Sequence, residues 1–448
     1  MHEKLILSFF LIFIVSCGGS SINDSAEDSN DITQTLSPHP LVWDLASPES
    51  VGMNSSLLEE AFDYAFKDGS FTQAALIIKD GKLIYERYRG ITDNEANILT
   101  STSSSNSDQS FYKDLFNQRD KDSLISSWST AKSFTSFLIG IAIESGHINS
   151  IDDYASNYIQ EWSRDDRSSV TVKDLLDMRS GLVPICFNVS SGELGNCLNS
   201  SDSASGGNIV YANDQLTKCI NRDLATEGLK YPWYENGTNE YINGSFVYSN
   251  CDTMVLGEII FRATGQDIQT YADYNLFSKL NIEAFWWKDY EMYGQSNGNY
   301  LAYCCLDSTA NDFAKFGYML LLGGISDGNT QKYTSYVSSI KNLTSYGLKF
   351  WTICSKPNSN SDCDEFVIST IGFDGQYIII DFKRNIVAVR ASLYEPVLNI
   401  SQKRKMKLNP NNLSQSNWIA TAPRAMGSSA STSFSPSVFY DLVTKSLD

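Results

Sequence analysis

Residues 128–140 read WSTAKSFTSFLIG, which sets Ser129 three residues before Lys132 at the head of an apolar run. A serine hydroxyl attacks a carbonyl carbon efficiently only when a base takes its proton. A lysine serves as that base if burial or a neighbouring cation brings its pKa down from about 10.4 towards neutrality. Three apart on a helix, the two side chains share a face. Phe134, Phe137, Leu138 and Ile141 add an apolar stripe that would anchor such a helix in a core. The stretch therefore predicts a poorly solvated amine beside a hydroxyl. The spacing alone is a weak signal, since it recurs at Ser110–Lys113 and Ser338–Lys341 in polar surroundings. The plain structural alternative makes Ser129 a helix N-cap, with Lys132 stretching its stem to reach water.

The usual base of a serine nucleophile is missing. The histidines are His2, His39 and His147. His147 follows Gly146 at the far end of the same predicted helix, where it serves as a surface or capping residue and cannot complete a Ser-His-Asp set. No cofactor is called for. Neither a C-x-x-C pair nor paired histidines offer zinc-ligand spacing, so no metal is expected.

The elements that must position this pair follow from periodicity and turn chemistry. Asn54 or Ser55 caps a helix running to about Lys67, with Leu57, Leu58, Ala61, Tyr64 and Ala65 on one stripe. QAALIIKDGKLIYERY reads as a hairpin turning at Asp80-Gly81. A polar stretch from Thr92 to about Asp122, with a serine-rich patch, reads as a surface insertion. Residues 123–345 are mainly helical in pattern. Strands return in GLKFWTIC, EFVISTIG and QYIIIDFKRNIVAVRAS, the last turning at Lys383-Arg384-Asn385, and PSVFYDLVTKSL closes the chain as a helix. The expectation is an α/β (α+β) fold, an antiparallel sheet built from both termini (46–122 and 346–448) and flanked by helices, with an inserted mainly helical domain at 123–345 that carries the nucleophile.

Other features bound what the chain does. It has 448 residues, 42% of them hydrophobic, and a net charge of -18, a balance that repels phosphate backbones and excludes nucleic acid as a partner. Residues 1–17 read as a signal peptide: Lys4, an apolar Leu5–Val15 too short to span a bilayer, then Ile14-Val15-Ser16-Cys17. That ending resembles a bacterial lipobox, in which Cys17 would carry lipid. Residues 18–45, rich in Ser, Asn and Asp, would then tether the protein to the cell envelope, with the outer membrane facing the periplasm as the expected place. Eight cysteines remain, an even number that suits disulfides in an exported chain. Cys186 with Cys197 and Cys354 with Cys363 are close enough for local loops; the pairing of Cys219, Cys251, Cys304 and Cys305 stays open. Trp286-Trp287 and the tyrosines from Tyr290 to Tyr300 could line an acyl pocket, although ordinary packing is commoner. The basic run Lys403–Lys407 reads as solvated surface.

SWSTAKSFTSFLIGIAIESGHI, VTVKDLLDMRSGL, FVYSNCDTMVLGEIIFRATGQ and LDSTANDFAKFGYMLLLGG occur in that order. Together, over roughly residues 50–395, they resemble the serine β-lactamase superfamily, particularly its class C-like branch of β-lactamases, D,D-peptidases, family VIII-type carboxylesterases and 6-aminohexanoate-dimer hydrolase. The resemblance implies Ser129 as nucleophile, Lys132 as base, and Tyr248 and Asn250 of YSN as the second motif. A tyrosine beside the lysine passes a proton to the leaving group, and Asn250 would orient Lys132 and bond a substrate amide. Y-x-N also occurs at Tyr211, Tyr234 and Tyr241; Tyr248 is chosen because the apolar pattern Met254–Phe261 follows it. In the third motif, IGFDGQ puts Phe373, Asp374 and Gly375 where penicillin-recognising members carry Lys-Thr-Gly or His-Thr-Gly. No cation stands there to hold a substrate carboxylate. The implied oxyanion hole is the backbone N–H of Ser129 and of Gln376. The resulting expectation is a serine hydrolase acting on small esters or amides through an acyl-enzyme. β-Lactamase or D,D-peptidase activity is the first alternative, and a catalytically silent binding lipoprotein the second.

Overall fold

The structure is a computed structural model and describes residues 42–102, 108–187, 194–197, 203–204, 209, 212, 214–228, 241–289, 298–327, 330–357, 363–393 and 433–447. The signal peptide, Cys17, most of the tether, Tyr211, Tyr234, Tyr290 and the Lys403–Lys407 run lie outside the described residues.

In chain order the elements used below are β1 (Asp44–Leu45), α1 (Ser55–Ala65), β2 (Ala74–Lys79), β3 (Lys82–Tyr88), α2 (Asp93–Thr102), α3 (Gln109–Leu115), β4 (Leu124–Ser126), a 3-10 turn (Trp128–Thr130), α4 (Ala131–Glu144), α5 (Asn250–Thr264), β5 (Leu306–Thr309), α6 (Ala310–Leu321), β6 (Trp351–Pro357), β7 (Cys363–Gly372), β8 (Gln376–Asp381), β9 (Ile386–Ala391) and α7 (Pro436–Lys445). Seven strands form the main sheet in the order β1-β3-β2-β9-β8-β7-β6. Both ends of the sequence therefore supply it, and they meet where β9 pairs with β2, Ala388 opposite Ile77. The sheet is not purely antiparallel as expected: β1 pairs parallel to β3 at its edge.

The run AALII of β2 is apolar throughout because both faces are covered. Leu76 and Ile78 point into the cluster that also holds Phe134, Phe137 and Phe316. Ala75 and Ile77 point to the other face, among Leu58, Ala61, Phe439 and Val443 of α1 and α7. The hairpin turns at Asp80 and Gly81, whose φ values of 50° and 77° fit the left-handed turn that the Asp-Gly pair favours. In α1 the Asn54 side chain accepts from Leu57 N, as a cap should. The buried stripe is Leu58, Ala61, Phe62 and Ala65, with Leu57 and Tyr64 half-buried. Phe62, absent from the predicted stripe, is fully buried against Tyr85 (centroids 4.2 Å apart) and Phe439 (6.1 Å). Phe62→Ala is expected to cost about 3–5 kcal/mol through lost burial and a residual cavity, read as a lower denaturation midpoint at unchanged m-value.

The polar stretch after Thr92 is not a bare surface insertion. Its described parts form α2 and α3, which bury Ala96, Leu99, Tyr112 and Phe116 around Phe71 and Leu393. Glu95 is fully buried. It accepts from both Arg89 nitrogens (2.7 and 2.8 Å) and from the backbone N–H of Phe71 (2.7 Å) and Thr92 (2.9 Å). A carboxylate so fully satisfied fastens the segment that leads into β2.

The local disulfides Cys186–Cys197 and Cys354–Cys363 form as spacing suggested. The two pairs that spacing left open are Cys219–Cys251 and the adjacent pair Cys304–Cys305. Trp286 and Trp287 are core residues: Trp286 stacks on Phe277, and the Trp287 indole donates to Asp307 at 2.5 Å. Among the described residues no helix is long and apolar enough to cross a membrane.

Candidate active site

Ser129 sits in the 3-10 turn that joins β4 to α4. Trp128, just before it, adopts φ 48°, a left-handed conformation that costs an L-residue energy and persists only when its surroundings enforce it. The enforcement is visible. Ser127 N donates to Leu306 O (2.9 Å) and Leu306 N donates to Ser127 Oγ (3.0 Å), which clamps the turn to β5. On the other side Thr130 Oγ1 donates to the Gln376 carbonyl (3.1 Å) and lies 3.2 Å from Thr370 Oγ1, which ties the turn to the β7–β8 hairpin. A methyl group at Gly372 would stand 2.3 Å from Ser127 O, so this close approach requires glycine. Gly372→Ala is expected to push the hairpin off the serine turn, lower stability by about 1–3 kcal/mol and cut turnover more than tenfold, read by denaturant titration beside an ester assay.

The sequence offered two roles for Ser129, and its N-cap role is not the one found. Thr130 occupies the cap position of α4. Lys132 Nζ instead reaches Ser129 Oγ at 3.0 Å, Asn250 Oδ1 at 2.7 Å and the Tyr303 carbonyl at 2.8 Å. The lysine is 1% exposed, so it does not stretch to water. Burial, reinforced by the nearby charge of Lys349, holds its amine well below the ordinary lysine value. A neutral amine has two N–H donors and one lone pair. The amide oxygens of Asn250 and Tyr303 can only accept, so they take the two donors. The lone pair then faces the one partner able to donate, the Ser129 hydroxyl.

Tyr248 closes the group. Lys132 Nζ lies 5.0 Å from its ring centroid. Burial pushes its phenol up to about 12, with the interaction of the Ser129 hydroxyl pulling the other way, so it stays protonated at neutral pH and is a donor there. Asn250 opens α5, which Ser249 caps through Asp252 N, and Cys251 is bonded to Cys219. The alternative Tyr241 is buried elsewhere, its hydroxyl 3.5 Å from Asn243. The competing S-x-x-K pairs, on α3 and on the helix Thr334–Lys341, present their serines and lysines to solvent. His147 is exposed beyond the end of α4.

In the third motif, Phe373 is exposed and sets its ring edge-on to Trp128 at 5.4 Å, beside the serine turn. Asp374 (φ 61°) and Gly375 (φ 88°) form the β7–β8 turn, and their carbonyls accept from Arg390 Nη1 at 2.9 and 2.8 Å. The Asp374 carboxyl has no hydrogen-bond partner among the described residues, and burial raises it well above its usual range against the pull of Arg390. Gln376 begins β8 opposite Gly372. Sequence reasoning missed the Tyr303 carbonyl, the Ser127 and Thr130 clamps and Lys349. Each acts through a contact over 170 or more residues apart or through backbone atoms, which leave no motif.

A family model described as Beta-lactamase matches residues 64–396. That is most of the chain, which belongs to the beta-lactamase family. With it come the β-lactamase/transpeptidase-like fold and the class of serine hydrolase. Among solved structures, a penicillin-binding protein homolog from Caulobacter crescentus superposes with TM-score 0.50 at 13% identity, covering 80% of this chain and 96% of its own. A class C beta lactamase from Rhodobacter sphaeroides gives 0.49 at 12% identity (88% and 100% covered). A Bacillus anthracis protein assigned as a 6-aminohexanoate-dimer hydrolase gives 0.48 at 19% identity (86% and 89% covered). No curated protein sequence matches this chain.

Proposed function

We propose that this protein is an exported hydrolase of small esters or non-peptidoglycan amides, working through an acyl-enzyme on Ser129. The observation that carries the proposal is the buried Lys132 amine with two pure acceptors and one hydroxyl around it. Lys132 takes the Ser129 proton as Oγ bonds to the carbonyl carbon, and the carbonyl π electrons move onto its oxygen. The backbone N–H groups of Ser129 and Gln376 are the proposed donors to that oxyanion. As the C–O or C–N bond breaks, Tyr248 passes its proton to the leaving group and regains one from Lys132. Water then attacks the acyl-enzyme by the same route reversed, releasing the acid and restoring Ser129.

The preference for esters and simple amides is supported by the third-motif turn. Phe373 and Asp374 stand where the resemblance would need a carboxylate-binding cation, and Tyr248, which meets the Ser129 hydroxyl, belongs to an aromatic cluster with Phe246, Tyr346 and Trp351 (Tyr346 to Trp351 4.6 Å, Tyr248 to Trp351 5.8 Å). Phe373, Asp374 and Gly375 are the proposed substrate-facing turn. Export and a lipid on Cys17 belong to the same proposal, supported by the Ile14–Cys17 ending and by disulfides that suit an oxidising compartment. The test sets p-nitrophenyl butyrate against a fluorescent penicillin. Turnover of the ester without stable penicillin labelling agrees with the proposal; efficient penicillin acylation with no ester turnover would replace it by β-lactamase or D,D-peptidase activity.

A further inference from the structure

We propose that Lys349 is a second buried amine of this site, acting through Lys132 by taking the pocket's proton and so leaving Lys132 neutral. The proposal rests on the reading of Lys132 as the base. Lys349 lies just before β6, in a segment that carries two consecutive left-handed residues, Leu348 (φ 47°) and Lys349 (φ 63°). Neither is a residue that tolerates that conformation cheaply, so something must hold it. Leu348 N donates to Asp177 Oδ1 (2.8 Å), Lys349 N to Leu176 O (3.1 Å), and Ser133 Oγ, on the residue after Lys132, to the Lys349 carbonyl (2.7 Å). These bonds seat the side chain in the protein interior. Lys349 is 2% exposed, and its amine donates to the thioether of Met178 at 3.0 Å, a weak acceptor.

The charged groups around the two amines differ. Asp252 and Asp177 face Lys349 and favour its charge, while Arg222 opposes it. Asp252 is ion-paired with Arg222 at 2.9 Å, and Asp177 with Lys173. Around Lys132 stand the neutral groups Ser129, Asn250, Tyr303 and Tyr248, and among the described residues the charge that acts on it is Lys349. Tyr346, beyond Tyr248, is a buried phenol held well above its ordinary value and stays uncharged. A proton shared between the amines therefore goes to Lys349, beside the carboxylates. Once charged, Lys349 opposes protonation of Lys132. Burial brings Lys349 down to about 7, so its own charge changes across the neutral range. An amine kept neutral by a neighbouring cation is a known way to make lysine a useful base.

The sign follows. Removing the Lys349 charge lets Lys132 hold its proton to higher pH, which moves the acid limb of Ser129 reactivity upward. The experiment measures the rate of Ser129 phosphonylation by a fluorophosphonate probe across acidic to alkaline pH, each profile normalised to its own alkaline plateau, for wild type, Lys349→Met, Lys349→Gln and Lys349→Arg. The limb is expected to rise by about one pH unit in the neutral variants, a roughly tenfold lower relative rate on the acid side. Lys349→Arg, which keeps the charge, is expected to stay with the wild type. A limb unmoved in both neutral variants, or moved equally in Lys349→Arg, overturns the proposal; a merely structural lysine would lower the plateau without shifting the limb. If Lys349→Met does not fold, Lys349→Gln and Lys349→Arg make the same comparison. Absence of Ser129 labelling at every pH in the wild type would instead remove the reading of Ser129 and Lys132 beneath it, whereas a labelled serine with an unmoved limb removes this proposal alone.

Discussion

Hydrolysis of p-nitrophenyl butyrate is expected to fall by roughly 10⁴–10⁶-fold in Ser129→Ala, and fluorophosphonate labelling of the protein to vanish with it. The loss is large because the nucleophile and its base act as a unit: once Oγ is gone, Lys132 has no proton to take and only binding and the oxyanion donors remain. Stability is expected to change little. Ser129 Oγ makes no helix cap, since Thr130 holds that position, and the turn is clamped by Ser127 and Thr130. Labelling and turnover retained in Ser129→Ala would place the chemistry elsewhere.

The second large effect is that of Lys132→Met, with an expected loss of about 10²–10⁴-fold, the range of a positioned general base. Methionine matches the length of the lysine stem and fills the same space between Tyr248 and Tyr303. It removes the hydrogen bonds of the amine to Asn250 Oδ1 and to the Tyr303 carbonyl, at about 0.5–1.5 kcal/mol each. Relief of amine desolvation offsets part of that cost. The pH dependence separates the effects. Lys132 has a lowered pKa in the folded protein and 10.5 ordinarily, so between those values the unfolded chain binds more protons and the folded state gains stability as pH rises. That gain is expected to shrink in Lys132→Met, leaving the part that Lys349 contributes between about 7 and 10.5. An equal gain in both proteins, read from denaturant midpoints at neutral and alkaline pH, would mean that Lys132 is not desolvated.

Much of this arrangement is legible in the sequence because it is local. The i, i+3 spacing of Ser129 and Lys132 and the apolar stripe of α4 offer a buried amine beside a hydroxyl, and the ordered blocks that resemble the β-lactamase superfamily select it over the N-cap alternative. Asp80-Gly81 gives its hairpin, and Asn54 its helix cap, through turn and cap chemistry that needs no tertiary partner. Residues that work through distant partners were not legible. Phe62 falls outside the stripe read from the sequence of α1, and its partners, Tyr85 and Phe439, lie in other elements. The stretch after Thr92 reads as surface because its charged residues hide a single buried carboxylate, Glu95, whose partners are Arg89 and backbone N–H groups. Lys349 stands in no motif; only the fold brings it beside the Lys132 helix. Trp286 and Trp287, conspicuous in sequence, turn out to be core.

The central claim is that a neutral Lys132 amine receives the Ser129 proton at physiological pH. Its most direct test is the pH dependence of the single-turnover rate of Ser129 phosphonylation in the wild-type protein. The rate is expected to reach half of its plateau well below the ordinary lysine value and to be nearly flat above neutrality. A rate that keeps climbing tenfold per pH unit until about 10, as an ordinary lysine would impose, contradicts it.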